Sequence, residues 1–376
     1  MRSLTVARVV GIAIEVHPSW LIILGLVSWT LSAEAFPAAY EDWSTAAYWA
    51  VGTAAAVLLF VTVLLHELAH ALVAKRRGLD VPRITLFIFG GVSHLARQPK
   101  SAGEEFVIAI AGPATSFGIA LITGVASAFA TNEKVDAILV YLATVNLLLG
   151  VFNLLPGFPL DGGRVLRAIA WERTHSFRRA TKIASRVGEV FAYLLMAFGF
   201  AMFISGYPIN GLWALLVAWF LLNAARAEAH GVQVEGVLAS LNARDVMTKA
   251  FSTVPPAATI QSVVDDYLLG RAERAVIVAE GGTALGILTV TDIQRAPRDA
   301  WPATPASALM TPQARVTAVA AGTSALEVLA LISEKKLNQV PVIEDGQLVG
   351  LIARRHLLDR IQLTDALRGG DTAAEA

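Results

Sequence analysis

The chain has 376 residues, of which 55 % are hydrophobic and only 16 % charged; 30 basic side chains balance 30 acidic ones, and there is no cysteine. A mean hydropathy of +0.59, with a charged fraction well below the roughly 25 % of soluble domains, excludes a wholly soluble protein. The charge balance removes the basic field that nucleic-acid binding needs. Without cysteine there is no disulfide, no thiol nucleophile and no cysteine-held zinc or iron–sulfur cluster, so any metal must take His, Asp or Glu.

Hydrophobicity is concentrated before residue 228, whereas about 240 to 365 reads as a mixed-charge soluble region. Set against the roughly 20 apolar residues a helix needs to cross a bilayer, six spans are predicted: Trp20–Phe36, Ala46–Val73, Phe106–Ala130, Val135–Leu155, Val187–Ile204 and Gly211–Ala224. Glu15, His17 and Pro18 interrupt the compact apolar core that a cleaved signal peptide requires, so the first span is read as retained. Arg2 and Arg8 precede that span, Lys75, Arg76 and Arg77 follow the second, and a basic cluster occupies Arg164 to Arg186. All fall on one side, which the positive-inside rule makes cytoplasmic, along with both termini and the soluble region.

The second span reads AVLLFVTVLLHELAHALVAKRRG and places His66, Glu67 and His70 in an otherwise apolar helix. Ionisable groups there cost about 2.5–3.5 kcal/mol each near the centre and mark functional sites. Positions i and i+4 share a helical face, so His66 and His70 are able to share one metal ion, with Glu67 beside it as a base for water. Zinc would supply hydroxide near neutral pH without a serine or cysteine nucleophile.

Downstream, RITLFIFGGVSHLARQ has the apolar, β-branched content of strands around Gly90 and Gly91. His94, a single histidine in this hairpin, is not placed on the metal. A catalytic zinc usually takes three protein ligands, so one more is needed. The best candidate lies where the fourth span runs into NLLPGFPLDGGR. Pro156 and Pro159 break the helix there, and Gly157, Gly162 and Gly163 are read as permitting turns. Non-helical backbone at membrane depth is tolerated where it lines a cavity. Asp161 sits in this break with a carboxylate to offer, and Asn153 is placed to hydrogen-bond a substrate carbonyl or developing oxyanion. His175, His230 and His356 are read as surface residues, and His17 is left out of the site.

These segments resemble the site-2 protease family of intramembrane zinc metalloproteases. The resemblance rests on His66-Glu67-Leu68-Ala69-His70 and on Asn153 through Arg164, and extends over roughly residues 1–225; Gly11 to Trp20 and Ala111-Gly112-Pro113 also look like family segments. It implies His66, His70 and Asp161 as ligands of one zinc, Glu67 as general base and acid, and Asn153 as an active-site polar residue. It also implies a membrane-dipping hairpin whose edge receives an extended substrate, against the plainer reading of a surface hairpin.

The soluble region repeats itself: Ala243 to Thr248 recurs as Ser307 to Thr311, and RAVIVAEGGTALGILTVTDI recurs as NQVPVIEDGQLVGLIARRHL. This resembles a tandem pair of cystathionine-β-synthase (CBS) domains, a family whose pairs pack as one unit and in some members bind an adenine nucleotide. Thr289 and Asp292 retain the hydroxyl and carboxylate implied for such contacts, whereas the second repeat has Ala353 and His356 there. A ligand sensor and a purely structural or dimerising pair stay open.

The fold expected is a polytopic α-helical membrane protein of about six helices with a membrane-associated β-hairpin, joined to a cytoplasmic α/β tandem CBS pair. Its divisions are a protease domain at 1–228, a linker at 229–240, CBS repeats at 241–300 and 301–365, and a disordered tail at 366–376. The function expected is an intramembrane zinc endopeptidase of the plasma membrane that cuts a transmembrane segment of a single-span protein in regulated proteolysis. The alternative is a CBS-gated transporter or channel.

Overall fold

The computed structural model describes residues 3–88, 90–94, 98–335, 337–345 and 347–360; the tail expected at 366–376 lies outside them. The chain divides into two compact units between Gly231 and Val232.

The first unit opens with an antiparallel hairpin of β1 (Leu4–Val9) and β2 (Ile12–Val16). Val10 and Gly11 at its tip both have positive φ, 50° and 78°, as a two-residue type I′ turn demands. Lys75 Nζ donates to the Val10 carbonyl at 2.5 Å. The strands β3 (Arg83–Phe87) and β4 (Gly90–His94) form where the hairpin was expected. They extend the first pair, through a parallel β2–β3 pairing, into one sheet of order β1-β2-β3-β4. β1 and β2 were not expected; their signal is the alternating LTVARVVGIAIEV, obscured by the charges at Arg8 and Glu15.

The helices follow in chain order. α1 (Ser19–Thr30) runs through a wider π-type turn into α2 (Phe36–Ala39), together one candidate span, and α3 (Thr45–Arg76) returns. After the sheet come α4 (Ala102–Ser127), α5 (Glu133–Asn153), the short α6 (Asp161–Thr174), α7 (Phe177–Ile204) and α8 (Pro208–Leu238). Ser44, Ser101, Asn132 and Ser176 cap α3, α4, α5 and α7, each accepting from a backbone N–H of the first turn. Among the described residues six helices, Ser19–Ala39 together with α3, α4, α5, α7 and α8, are long and apolar enough to cross a membrane. α7 begins ten residues before its expected start, because Arg178, Arg179, Lys182 and Arg186 dilute the hydropathy of a stretch that is nonetheless helical. Residues 229–238, expected as linker, continue α8.

Burial is inverted relative to a soluble protein. Phe129 and Ile209 are about four-fifths exposed, whereas His66, His70, Glu105, Asn146 and Arg167 are buried. Apolar side chains on the outside and polar, ionisable groups gathered within are what hydrocarbon favours in a multi-pass membrane protein.

The second unit contains two sheets of repeated design. In one, β5 (Thr253–Val254), β6 (Ala275–Glu280), β7 (Thr283–Thr289) and β8 (Thr311–Pro312) lie in sequence order; in the other, β9 (Val319–Ala320), β10 (Gln339–Glu344) and β11 (Gln347–Ala353) have the order β11-β10-β9. Each repeat sets a short strand parallel to an antiparallel hairpin, with a register shift at Val278/Ala279 in one and Val342/Ile343 in the other. The Met-Thr segments cross over. Thr311 pairs with Ile287 of the first repeat, and Thr248 exchanges two backbone hydrogen bonds with Leu351 of the second, at 2.9 and 3.0 Å. Each repeat thereby completes the other, and the pair folds as one unit.

Candidate metal centre

The i/i+4 spacing on α3 brings the two histidine Nε2 atoms within 3.3 Å of each other. Asp161 Oδ2 lies 3.1 Å from both. Among the described residues these three are the group of His, Asp and Glu side chains whose ligand atoms converge, all within 4.8 Å.

The outer ring nitrogens are held by α4. His70 Nδ1 meets the Ile108 carbonyl at 2.7 Å, and a carbonyl only accepts, so Nδ1 carries the hydrogen and Nε2 turns a lone pair inward. His66 Nδ1 meets Ser116 Oγ at 2.8 Å. Gly112 lies between these two contacts: a Cβ there would come within 2.5 Å of His66 Nε2 and closer still to His70 Nε2. Two imidazole nitrogens and a carboxylate oxygen crowd a space that α4 keeps clear, and this donor set fits a zinc ion with an open position. Ser116→Ala is expected to weaken zinc binding about 10–100-fold while leaving the protein folded, measured by competition with a chelator.

Asp161 is the first residue of α6, with Leu160 as its cap, rather than a loop residue. The loop from Leu154 to Leu160 turns the chain back. Of its neighbouring glycines only Gly157 has a positive φ, 154°. Gly162 and Gly163, expected to permit turns, are helical and serve closeness instead. A Cβ on Gly162 would overlap the Leu154 and Leu155 carbonyl oxygens, and one on Gly163 would overlap backbone atoms of Gly157 and Phe158. α6 is thereby seated on its own entry loop, which fixes where its first carboxylate points.

Glu67 Oε2 accepts a hydrogen bond from Ser93 Oγ of β4 at 2.9 Å, and a Cβ on Gly91 would overlap Glu67 Cγ. The carboxylate therefore lies against the edge strand. Asn153, the last residue of α5, is half-buried, and the hydrogen bonds among the described residues include none from its amide. Asn146, two turns earlier, is buried and donates to Thr62 Oγ1 at 3.2 Å and to the Leu142 carbonyl at 2.9 Å. His17 serves the start of α1, its Nδ1 accepting from Ser19 N at 3.2 Å. The side chain of His94 lies outside what the structure describes.

Thr289 and Asp292 belong to the second unit and bind each other. Thr289 Oγ1 donates to Asp292 Oδ2 at 2.6 Å, and each side chain also accepts from the other's backbone N–H, the reciprocal cap of the helix Val290–Ile293. Both line a cleft of about 700 Å³ with Arg274, Arg315 and Asn338. In the second repeat His356 Nδ1 takes the place of the aspartate, accepting from Ala353 N at 3.2 Å. Burial and the adjacent Arg355 push His356 below the usual imidazole value, which keeps the ring neutral and its nitrogen an acceptor. His356 is thus a cap, and not simply the surface residue expected.

Ser116, Ile108, Gly112, Ser93 and Gly91 were not singled out as site residues beforehand. Ser116 and Gly112 carried a signal, being small or polar positions four apart in an apolar span; the Ile108 contact uses its carbonyl, which every residue has.

A polytopic bundle with a buried His-His-Asp cluster, ending in a tandem α/β repeat, defines a membrane-embedded metalloprotease carrying a paired accessory domain. Sequence comparison gives the particular family. The family model described as peptidase family M50 matches residues 54–132 and 124–195, and the CBS domain model matches 243–299 and 306–363. A protein of Synechocystis sp. named as zinc metalloprotease sll0528 is 35 % identical over 97 % of both chains. One of Mycobacterium tuberculosis named as zinc metalloprotease Rip3 is 37 % identical over 78 % of this chain and 75 % of its own. A solved structure, the site-2 protease from Methanocaldococcus jannaschii, is 34 % identical, covering 61 % of this chain and 95 % of that one at a TM-score of 0.45. The chain belongs to peptidase family M50 and is a zinc metalloprotease of the site-2 type with a C-terminal CBS pair. The transporter or channel reading gives way, since relatives aligned along nearly the whole chain, from Synechocystis sp. and Methanocaldococcus jannaschii, carry the names of zinc metalloproteases.

Proposed function

We propose that this protein cleaves a peptide bond in or near the transmembrane segment of a single-span membrane protein, as a step of regulated intramembrane proteolysis. The observation that carries the reading is the convergence of His66, His70 and Asp161 beside a glutamate hydrogen-bonded to an edge strand. His66, His70 and Asp161 would hold the zinc. When bound, the ion polarises the scissile carbonyl and acidifies water.

The remaining steps belong to the protein. The outer edge of β4 offers backbone N–H and C=O groups that hold a locally unwound substrate extended. Because β4 rests on Glu67, a strand added there passes the carboxylate. Glu67 takes a proton from the attacking water as its oxygen adds to the carbonyl carbon, and returns that proton to the amide nitrogen as the C–N bond breaks. Ser93 engages Oε2 and leaves Oε1 for the water. Asn153 directs its amide N–H groups at the carbonyl oxygen where negative charge grows.

The protease domain is assigned to 1–228 and the CBS repeats to 241–300 and 301–365. The alignment of Arg8, Lys75 to Arg77 and the Arg164–Arg186 cluster on one side supports a plasma-membrane orientation with the N-terminus and CBS pair cytoplasmic. The cleft that Thr289 and Asp292 line would take an adenine nucleotide to modulate cleavage, and the pair would serve a homodimer.

Full-length protein in detergent is expected to hold about one zinc per chain and to cut a model single-span substrate. Stripping the metal with a chelator should stop cleavage, and stoichiometric zinc should restore it. A metal-replete protein without zinc, or cleavage indifferent to stripping, would sink the reading. The same assay with added adenine nucleotide tests the CBS pair, whose modulating role fails if neither binding nor a rate change is seen.

A further inference from the structure

We infer that Arg167 is a positioning residue for Asp161: with Glu105 and Glu228 it forms a buried ion cluster that sets where α6 presents its first carboxylate. The inference rests on the reading of Asp161 as third zinc ligand. Asp161 and Arg167 stand six residues apart on one 14-residue helix, less than two turns, so a fix at one is passed to the other with little slack.

The guanidinium is fixed in every direction. Arg167 is 5 % exposed. Its Nε and Nη2 donate to Glu105 Oε1 of α4 at 2.7 and 2.5 Å, and its Nη1 donates to Glu228 Oε1 of α8 at 2.8 Å. Its plane packs on Phe158 of the entry loop at 4.7 Å and on Phe177, the first residue of α7, at 4.6 Å. One planar group thus ties α6 to α4, α7, α8 and the loop before it.

The placement of Glu105 gives the cluster its meaning. Glu105, Ile108, Gly112 and Ser116 are spaced three, four and four apart and share one face of α4. Ile108 and Ser116 orient the two histidines, and Gly112 keeps the space between them clear. Glu105 adds the helix of the third candidate ligand to that face. An apolar contact would also hold α6 against α4, but it would leave rotation and height free, whereas a forked, charge-assisted pair fixes both. Glu105 is completely buried, and its second oxygen has no hydrogen-bond partner among the described residues. Arg167 is therefore what balances its charge.

The test uses the full-length protein in detergent, with zinc affinity from chelator competition, the absorption spectrum of the cobalt-substituted protein, and melting. Arg167→Lys keeps the charge but loses the fork and the stacking; Glu105→Gln keeps the shape but loses the charge. Both are expected to weaken zinc about 10–100-fold, to shift the cobalt bands, and to lower kcat more than they change KM. Wild-type zinc affinity and cobalt spectrum in both, even with lower melting, would make the cluster merely structural and overturn the inference. If these variants do not fold, Glu228→Gln, which removes only the half-exposed arm, decides: a weakening of about threefold with shifted bands is expected, and an unchanged site overturns. Asp161→Ala separates the two readings. Wild-type zinc affinity in that variant sinks the ligand assignment itself, whereas lost affinity there with unchanged Arg167→Lys and Glu105→Gln sinks only the positioning role.

Discussion

Glu67→Gln is expected to retain about one zinc per chain while cleaving a model transmembrane substrate roughly 10²–10⁴ times more slowly than the unaltered protein. The amide has the volume of the carboxylate but takes up no proton at neutral pH, so it is unable to relay one from water to the leaving nitrogen. Its position should survive, because the amide oxygen still accepts from Ser93 Oγ and Gly91 still packs on the side-chain stem. The convergent set of His66, His70 and Asp161 does not include Glu67, which is why the metal should stay. Metal content and initial rates on the same preparation check both halves. Loss of zinc together with rate would make Glu67 part of the metal's support, and an unchanged rate would place the base elsewhere.

Legibility in the sequence followed the range of the contacts. His66 and His70 were readable because a local i/i+4 spacing and an apolar run each point to them. Asp161 was readable as a carboxylate beside a Pro/Gly break, but its place at the start of α6 was not, since Gly162 and Gly163 look the same whether they turn a chain or let two backbones touch. β1 and β2 were missed because β2 has half its pairing with β3, some seventy positions away, and the alternation that marks it is only five residues long. The basic first turns of α7 hid a helix whose cap, Ser176, is local.

The repeat in the soluble region was visible by self-similarity, yet the crossing of Met-Thr segments between repeats was not, because a repeat looks the same whether it closes on itself or on its neighbour. Thr289 and Asp292 show the limit of matching residue types. Their hydroxyl and carboxylate are present as expected, and the structure uses them on each other. A nucleotide in that cleft would meet an Asp292 whose Oδ2 already serves the helix cap and whose Oδ1 faces Arg295.

Gly112→Ala is expected to lower zinc affinity by about 100-fold or more and to abolish cleavage, although helix propensity alone favours the change. Alanine in a helix interior is better than glycine by about 1 kcal/mol, so an α4 judged by its own backbone would gain. The added methyl, however, would sit within 2.5 Å of one histidine Nε2 and nearer to the other. The rings have no simple retreat, because their outer nitrogens are held by Ile108 and Ser116 of the same helix. Relief requires either α4 to back away from α3 or both imidazoles to leave these partners. Overpacking of this kind costs about 1–3 kcal/mol, enough to cancel the propensity gain without unfolding the bundle. The metal is less forgiving, since its ligand distances tolerate only about 0.2 Å. Gly118→Ala is the control on the same helix: nothing lies within 4 Å of its added carbon, so zinc and activity should be untouched. Chelator competition, circular dichroism and cleavage on the two variants separate a crowded metal site from a damaged helix; wild-type zinc affinity in Gly112→Ala would mean that the ion is not held between these two rings.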